Sequence, residues 1–149
     1  MGSKPILPAI FLKGIKLINF DCVSIGDSIA TREGLGGSLH CQEIHAVYGK
    51  PSSFIIHEAA ASGPHYACVI SAGSNDPLNL NLEKNLEAIR RNVHCQITIW
   101  VKPAHSRPSS VVGHVAALYG DRAVQVYPGR DGVHPKSYPA LAQQIRNSI

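Results

Sequence analysis

The 149-residue sequence predicts an α/β fold built on a parallel sheet, and two observations carry that reading. Short β-rich apolar runs alternate with segments of helical periodicity, which is the pattern of strands joined by helical crossovers. Several of the runs are also continuously apolar rather than alternating, as in strands covered on both faces. Length and composition fit one domain spanning residues 1–149, with 44% hydrophobic and 16% charged residues. Residues 1–14 read as an N-terminal extension.

The first strand is read over Lys16–Ile25 and the third over Tyr66–Ala72. The fourth follows over Cys95–Val101 and the fifth over Ala123–Tyr127. The second strand has two candidate positions. If it were Ser53–Glu58, about seven residues would remain before the third strand, whereas a parallel crossover takes a dozen or more. Placing it at Gln42–Val47 frees 51–61 as the crossover helix, with Pro51 in its first turn and Gly63 as its stop. Chain length selects this second reading.

Three further helices are expected. Asn81 caps one that aligns Leu82, Leu86 and Ile89, with acidic residues early and arginines late, as the helix dipole prefers. Ser109 or Ser110 caps the next, aligning Val111, Val115 and Leu118 and stopping at Gly120. The last starts near Pro135 and aligns Tyr138, Leu141 and Ile145.

Bulk properties set aside several functions. A net charge of +4, with basic residues scattered and few aromatics among them, does not describe a nucleic-acid surface. No apolar stretch approaches a bilayer span. The eight histidines form no H-E-x-x-H or paired ligand cluster, so neither a metal nor another cofactor is expected. Cys22, Cys41, Cys68 and Cys95 lack C-x-x-C spacing and fall mostly in predicted strands. They read as core thiols in a reducing compartment, with a strand-to-strand disulfide as the alternative. Pro5 and Pro8 interrupt the N-terminus and no secretory cleavage pattern appears, so a cytoplasmic setting is expected.

Chemistry concentrates where strands end. Gly26-Asp27-Ser28 follows the first strand, Gly73-Ser74-Asn75-Asp76 the third, and Asp131-Gly132-Val133-His134 the fifth. Each alone is an ordinary polar turn. Together they fall at one edge of an open sheet, where such folds bind ligands.

In this order the three motifs resemble the blocks of SGNH (GDSL-like) hydrolases, over residue 16 to the end. The resemblance implies a flavodoxin-like strand order 2-1-3-4-5 in three α/β/α layers. It also implies Ser28 as nucleophile, Asp131 and His134 as its partners, and Asn75 with the Ser28 N–H as oxyanion donors. The family's remaining donor is a glycine after the second strand. That is Gly49 on the adopted reading, with Gly63 in Ser62-Gly63 as the rival. A serine hydroxyl needs a base as it attacks, and imidazole titrates in the right range to supply one. The carboxylate fixes the imidazole tautomer and stabilises the imidazolium. The expected reaction is hydrolysis of a carboxylic ester through an acyl-enzyme, the expected substrate being a short-chain or acetyl ester such as a carbohydrate O-acetyl group. The alternatives are a thioesterase or lysophospholipase, a non-catalytic binding module on the same scaffold, or a nucleotide-binding flavodoxin-like domain. No G-x-S-x-G surrounds Ser28, which argues against an α/β-hydrolase.

Gly34-Leu35-Gly36-Gly37 reads as a flexible rim beside the nucleophile, while His105 and Arg107 are read as loop residues that could line the pocket. His57 is read as structural.

Overall fold

The computed structural model describes residues 11–12, 15–16 and 21–149. Five parallel strands form the sheet: β3 (Cys22–Gly26), β4 (Glu43–Ala46), β5 (His65–Ser71), β6 (Cys95–Lys102) and β7 (Arg122–Gln125). Their spatial order is β4-β3-β5-β6-β7, which is 2-1-3-4-5 counted along the five. A separate antiparallel pair joins β1 (Phe11–Leu12) to β2 (Ile15–Lys16). Lys16 thus belongs to that pair, and the long first strand expected from Lys16 begins only at Cys22; residues 17–20 of that expectation lie outside the described residues. Most of the expected N-terminal extension lies outside them as well.

Side-chain alternation along the strands makes two cores. Val23, Ile25, Cys68, Ile70 and Trp100 point to one face, under α2 (Ser52–Ala61), α3 (Leu82–Arg91) and α4 (Ser106–Tyr119). Cys22, Ala67, Val69, Ile99 and Val101 point to the other, under α1 (Leu35–Ser38) and α5 (Tyr138–Asn147). Period-2 alternation with both faces apolar is what three layers require.

Crossover length placed the second strand well: β4 and α2 lie where the connectivity argument put them, with Pro51 as the α2 N-cap residue and the helix ending before Gly63. Two other helix starts shift, and one expected cap bond is not made. The Asn81 side chain makes no capping bond, although α3 begins right after it. The fourth helix starts at Ser106 rather than beside Ser109, because Pro108 is accepted within its first turn. It buries Pro108, Val112, Val115 and Ala116 and leaves Leu118 exposed. The last helix starts at Tyr138, three residues beyond Pro135, where the Ser137 side chain accepts the Ala140 N–H.

All four cysteines are paired, which overturns the reading of free core thiols. Cys22 of β3 is bonded to Cys41 just before β4, and Cys68 of β5 to Cys95 of β6. The physical reason is adjacency: order 2-1-3-4-5 sets each pair on neighbouring strands or the loop beside them. The expectation of a reducing, cytoplasmic setting therefore loses its cysteine argument. No helix among the described residues is long and apolar enough to cross a membrane.

The glycine run is likewise not a flexible rim. It forms the helical turn α1, with Leu35 and Gly36 buried, and a Cβ on Gly37 would meet the Arg32 carbonyl oxygen at 1.9 Å.

Candidate active site

The nucleophile candidate is set by the end of β3. Gly26 has φ 146°, and a Cβ there would lie 1.9 Å from the Ser71 carbonyl oxygen of β5. Only glycine lets the chain pass so close to the neighbouring strand. Asp27 follows, its N–H donating to that same Ser71 oxygen at 3.1 Å. The Asp27 carboxylate then caps the single 3-10 turn Ser28–Ala30, with Oδ1 accepting the Ile29 N–H at 3.1 Å and the Ser71 hydroxyl at 2.9 Å. Ser28 thus stands at the first position of a capped turn, half-buried. Its own N–H makes no hydrogen bond within the described residues, as expected of a first helical residue.

The partner loop runs from β7 to α5. It is closed by two backbone bonds, Gly129 N–H to the His134 carbonyl at 2.8 Å and Lys136 N–H to the Tyr127 carbonyl at 2.9 Å. Gly132, at φ 73°, takes the left-handed position of the turn. Asp131 Oδ1 accepts the backbone N–H groups of Val133 and His134, each at 2.9 Å. Asp131 Oδ2 faces His134 Nδ1 at 2.5 Å, and His134 Nε2 lies 2.8 Å from Ser28 Oγ. The result is a continuous Ser28–His134–Asp131 relay that joins segments 106 residues apart.

Electrostatics fit this arrangement. The Val133 amide, then the His134 ring, hold the Asp131 carboxyl down at about 2, so it is ionised wherever the imidazole works. Asp27 moves the other way. Burial pushes its carboxyl up to about 6, against the lowering effects of the Ser71 hydroxyl, the Ile29 amide and the His134 charge. It is fully buried, and Oδ2 has no hydrogen-bond partner within the described residues. Tyr138 is pushed up to about 12, first by burial and then by the Asp27 charge, and so stays a phenol.

The remaining predicted residues separate by edge. Asn75 lies in the loop after β5, where its Nδ2 donates to the Lys50 carbonyl at 3.1 Å. That bond ties it to the turn after β4 containing Gly49 (φ 70°). Asp76 holds the same loop by accepting the Ser52 N–H at 3.1 Å and the Ser52 hydroxyl at 2.5 Å, at the start of α2. Asn75 and Gly49 therefore stand together at the edge where β3 presents Ser28. No hydrogen bond joins either to Ser28 within the described residues. Gly63 sits at the opposite edge, its N–H donating to Glu43 at the start of β4. Arg107 donates to the carbonyls of Pro77 and Asn79, fixing the Asn75 loop. His105 is the N-cap residue of α4, and its side chain makes no capping bond. His57 lies on the exposed side of α2.

Sequence reasoning passed over Asp27, whose visible signal was only its place beside Ser28. It also passed over Arg130 and Lys136, which line an open cavity of about 770 Å³ with His134 and Asp131. Comparisons with protein-family models, with curated proteins and with solved structures found no match.

Proposed function

We propose that this chain is a serine esterase of the SGNH type. The observation that carries the reading is the relay in which Ser28 Oγ, His134 and Asp131 are joined at 2.8 and 2.5 Å. In this reading His134 Nε2 removes the Ser28 proton as Oγ attacks the ester carbonyl. The ester C–O bond then breaks, and the alcohol leaves with the proton that His134 carries. Water repeats the sequence on the acyl-enzyme. The Ser28 N–H, unused within the described residues, serves the oxyanion, with Asn75 and the Gly49 N–H as companion donors.

The His134 and Asp131 side chains are 43% and 52% exposed, which suits a substrate whose bulk remains in solvent and whose acyl group is short. Acetyl esters, among them O-acetyl groups on carbohydrates, meet that description. The test is p-nitrophenyl acetate turnover together with labelling by a fluorophosphonate probe. Wild-type protein should do both and Ser28→Ala neither, with both proteins giving the same circular dichroism. Equal turnover by the two would overturn the reading.

A further inference from the structure

We infer that the site takes esters whose alcohol part carries a negative charge. This rests on reading Ser28 as the acyl-transfer nucleophile. The leaving alcohol must receive its proton from His134 Nε2, so it departs on the His134 side of Ser28. The cavity that borders His134 is lined by Arg130 and Lys136, with Pro128, Gly129 and Pro135 as its uncharged walls. The two cations bracket Asp131 and His134 in sequence, and the backbone bonds that close the loop fix their spacing.

The two cations outnumber the one carboxylate beside them. Both are exposed, and neither forms an ion pair or side-chain hydrogen bond within the described residues. The one carboxylate lining the cavity is Asp131, and its two oxygens are occupied by the Val133 and His134 amides and by His134 Nδ1. When His134 takes the Ser28 proton, the cavity becomes more positive still. A carboxylate or phosphate on the alcohol would enter this field as the leaving oxygen approaches Nε2, and a neutral alcohol would gain nothing from it.

The test compares 4-acetoxybenzoate with the neutral 4-acetoxybenzamide, and uses as readout the ratio of their kcat/KM values. In Arg130→Gln/Lys136→Gln this ratio should fall about twofold to thirtyfold, the range of two exposed charge contacts, and 0.5 M salt should lower it in wild type. Arg91→Gln/Arg122→Gln, at the opposite edge of the sheet, should keep the wild-type ratio. An unchanged ratio in the Arg130/Lys136 variant overturns the inference. Placement is tested with 4-nitrophenyl hemisuccinate, whose charge is on the acyl side. A stronger dependence on Arg130 and Lys136 for that ester would overturn the assignment to the alcohol.

If Ser28 takes no probe and neither ester is cleaved, the esterase reading fails, and the anion site is decided by binding alone. Backbone amide shifts of residues 129–136 are then followed on titration with 4-hydroxybenzoate and with 4-hydroxybenzamide. Preference for the anion, lost in the double variant, supports the site. Equal responses to the two compounds overturn it.

Discussion

The Asp27 carboxylate accepts the Ser71 hydroxyl at 2.9 Å, and this bond joins the turn that presents Ser28 to the strand beside it. The same carboxyl is fully buried, is pushed up to about 6 and feels the charge of His134. Its ionised form costs desolvation and in return favours the imidazolium that forms as Ser28 is deprotonated. Because the folded value lies above the ordinary 3.8, the folded state holds this proton more tightly than the unfolded chain. Stability from this group therefore falls as pH rises from about 4 to 6 and is level above. Urea unfolding of Asp27→Asn should lack that fall, and kcat should drop about tenfold at neutral pH through loss of the charge near His134. Parallel pH–stability curves for wild type and variant would refute the assignment.

Asp131 should behave differently because it stays ionised down to about 2. No loss of activity above pH 4 should trace to it. Asp131→Asn keeps a side chain of the same shape but no longer holds the His134 tautomer. It should lower kcat by about 10³- to 10⁴-fold while leaving thermal unfolding nearly unchanged. A loss below tenfold would mean that the carboxylate does not orient the imidazole.

The oxyanion donors are tested by contrast between the two edges. Asn75→Ala should cost about 10²- to 10³-fold in kcat. Gly63→Ala lies at the far edge, where an added Cβ would meet Glu43 Oε1 at 3.2 Å, and should leave kcat at the wild-type value. A kcat loss confined to Gly63→Ala would reverse the choice of glycine.

The disulfides close loops with sequence separations of 19 and 27 residues. Loop-closure entropy predicts that each stabilises the fold by about 3 kcal/mol. Replacing Cys68 and Cys95 together by Ala should lower the urea-unfolding free energy by about that much, and a reductant should have the larger effect on wild type. No difference between oxidised and reduced wild-type protein would contradict the pairing.

What was legible in the sequence is what depends on pattern and chain length. Continuous apolar runs gave the buried strands, and the minimum length of a parallel crossover put β4 before α2, which in turn set Gly49 rather than Gly63 at the sheet edge that carries Ser28 and the Asn75 loop. What was not legible depends on contacts across the sheet. The partner of Cys68 is set by the neighbour relation of β5 and β6, which spacing along the chain does not encode. The buried state of Asp27 depends on the close passage of Gly26 over Ser71, and the role of Arg107 depends on a loop folding back to it. The start of α4 shifted for a local reason: Pro108 suits a first turn as well as a boundary, so the serines after it were not needed as caps.

The opposite edge of the sheet offers a last prediction, from a network far from Ser28. His65 lies between two carboxylates, with Nδ1 2.6 Å from Asp21 Oδ1 and Nε2 2.7 Å from Glu43 Oε1, and Glu43 also bonds His45. These contacts join the starts of β4 and β5 to Asp21 just before β3. Desolvation disfavours the His65 charge, but the hydrogen bonds to Asp21 and Glu43 outweigh it and raise the group above 6.5. Glu43 is likewise desolvated, yet its bonds to His45, His65 and Gly63 lower it below 4.5. The raised histidine contributes stability that is complete below its ordinary value and is lost as pH rises through the folded one. The lowered glutamate contributes stability that is complete above its ordinary value and is lost as pH falls through the folded one. Both contributions are therefore full only between about pH 4.5 and 6.5. His65→Gln should cost about 1 kcal/mol in that window, a figure reduced by the partial exposure of the groups, and less as pH rises above it. Chemical unfolding at pH 5.5 and 8.5 measures this, and an equal cost at both would show that the imidazole contributes as a neutral hydrogen-bonding group instead.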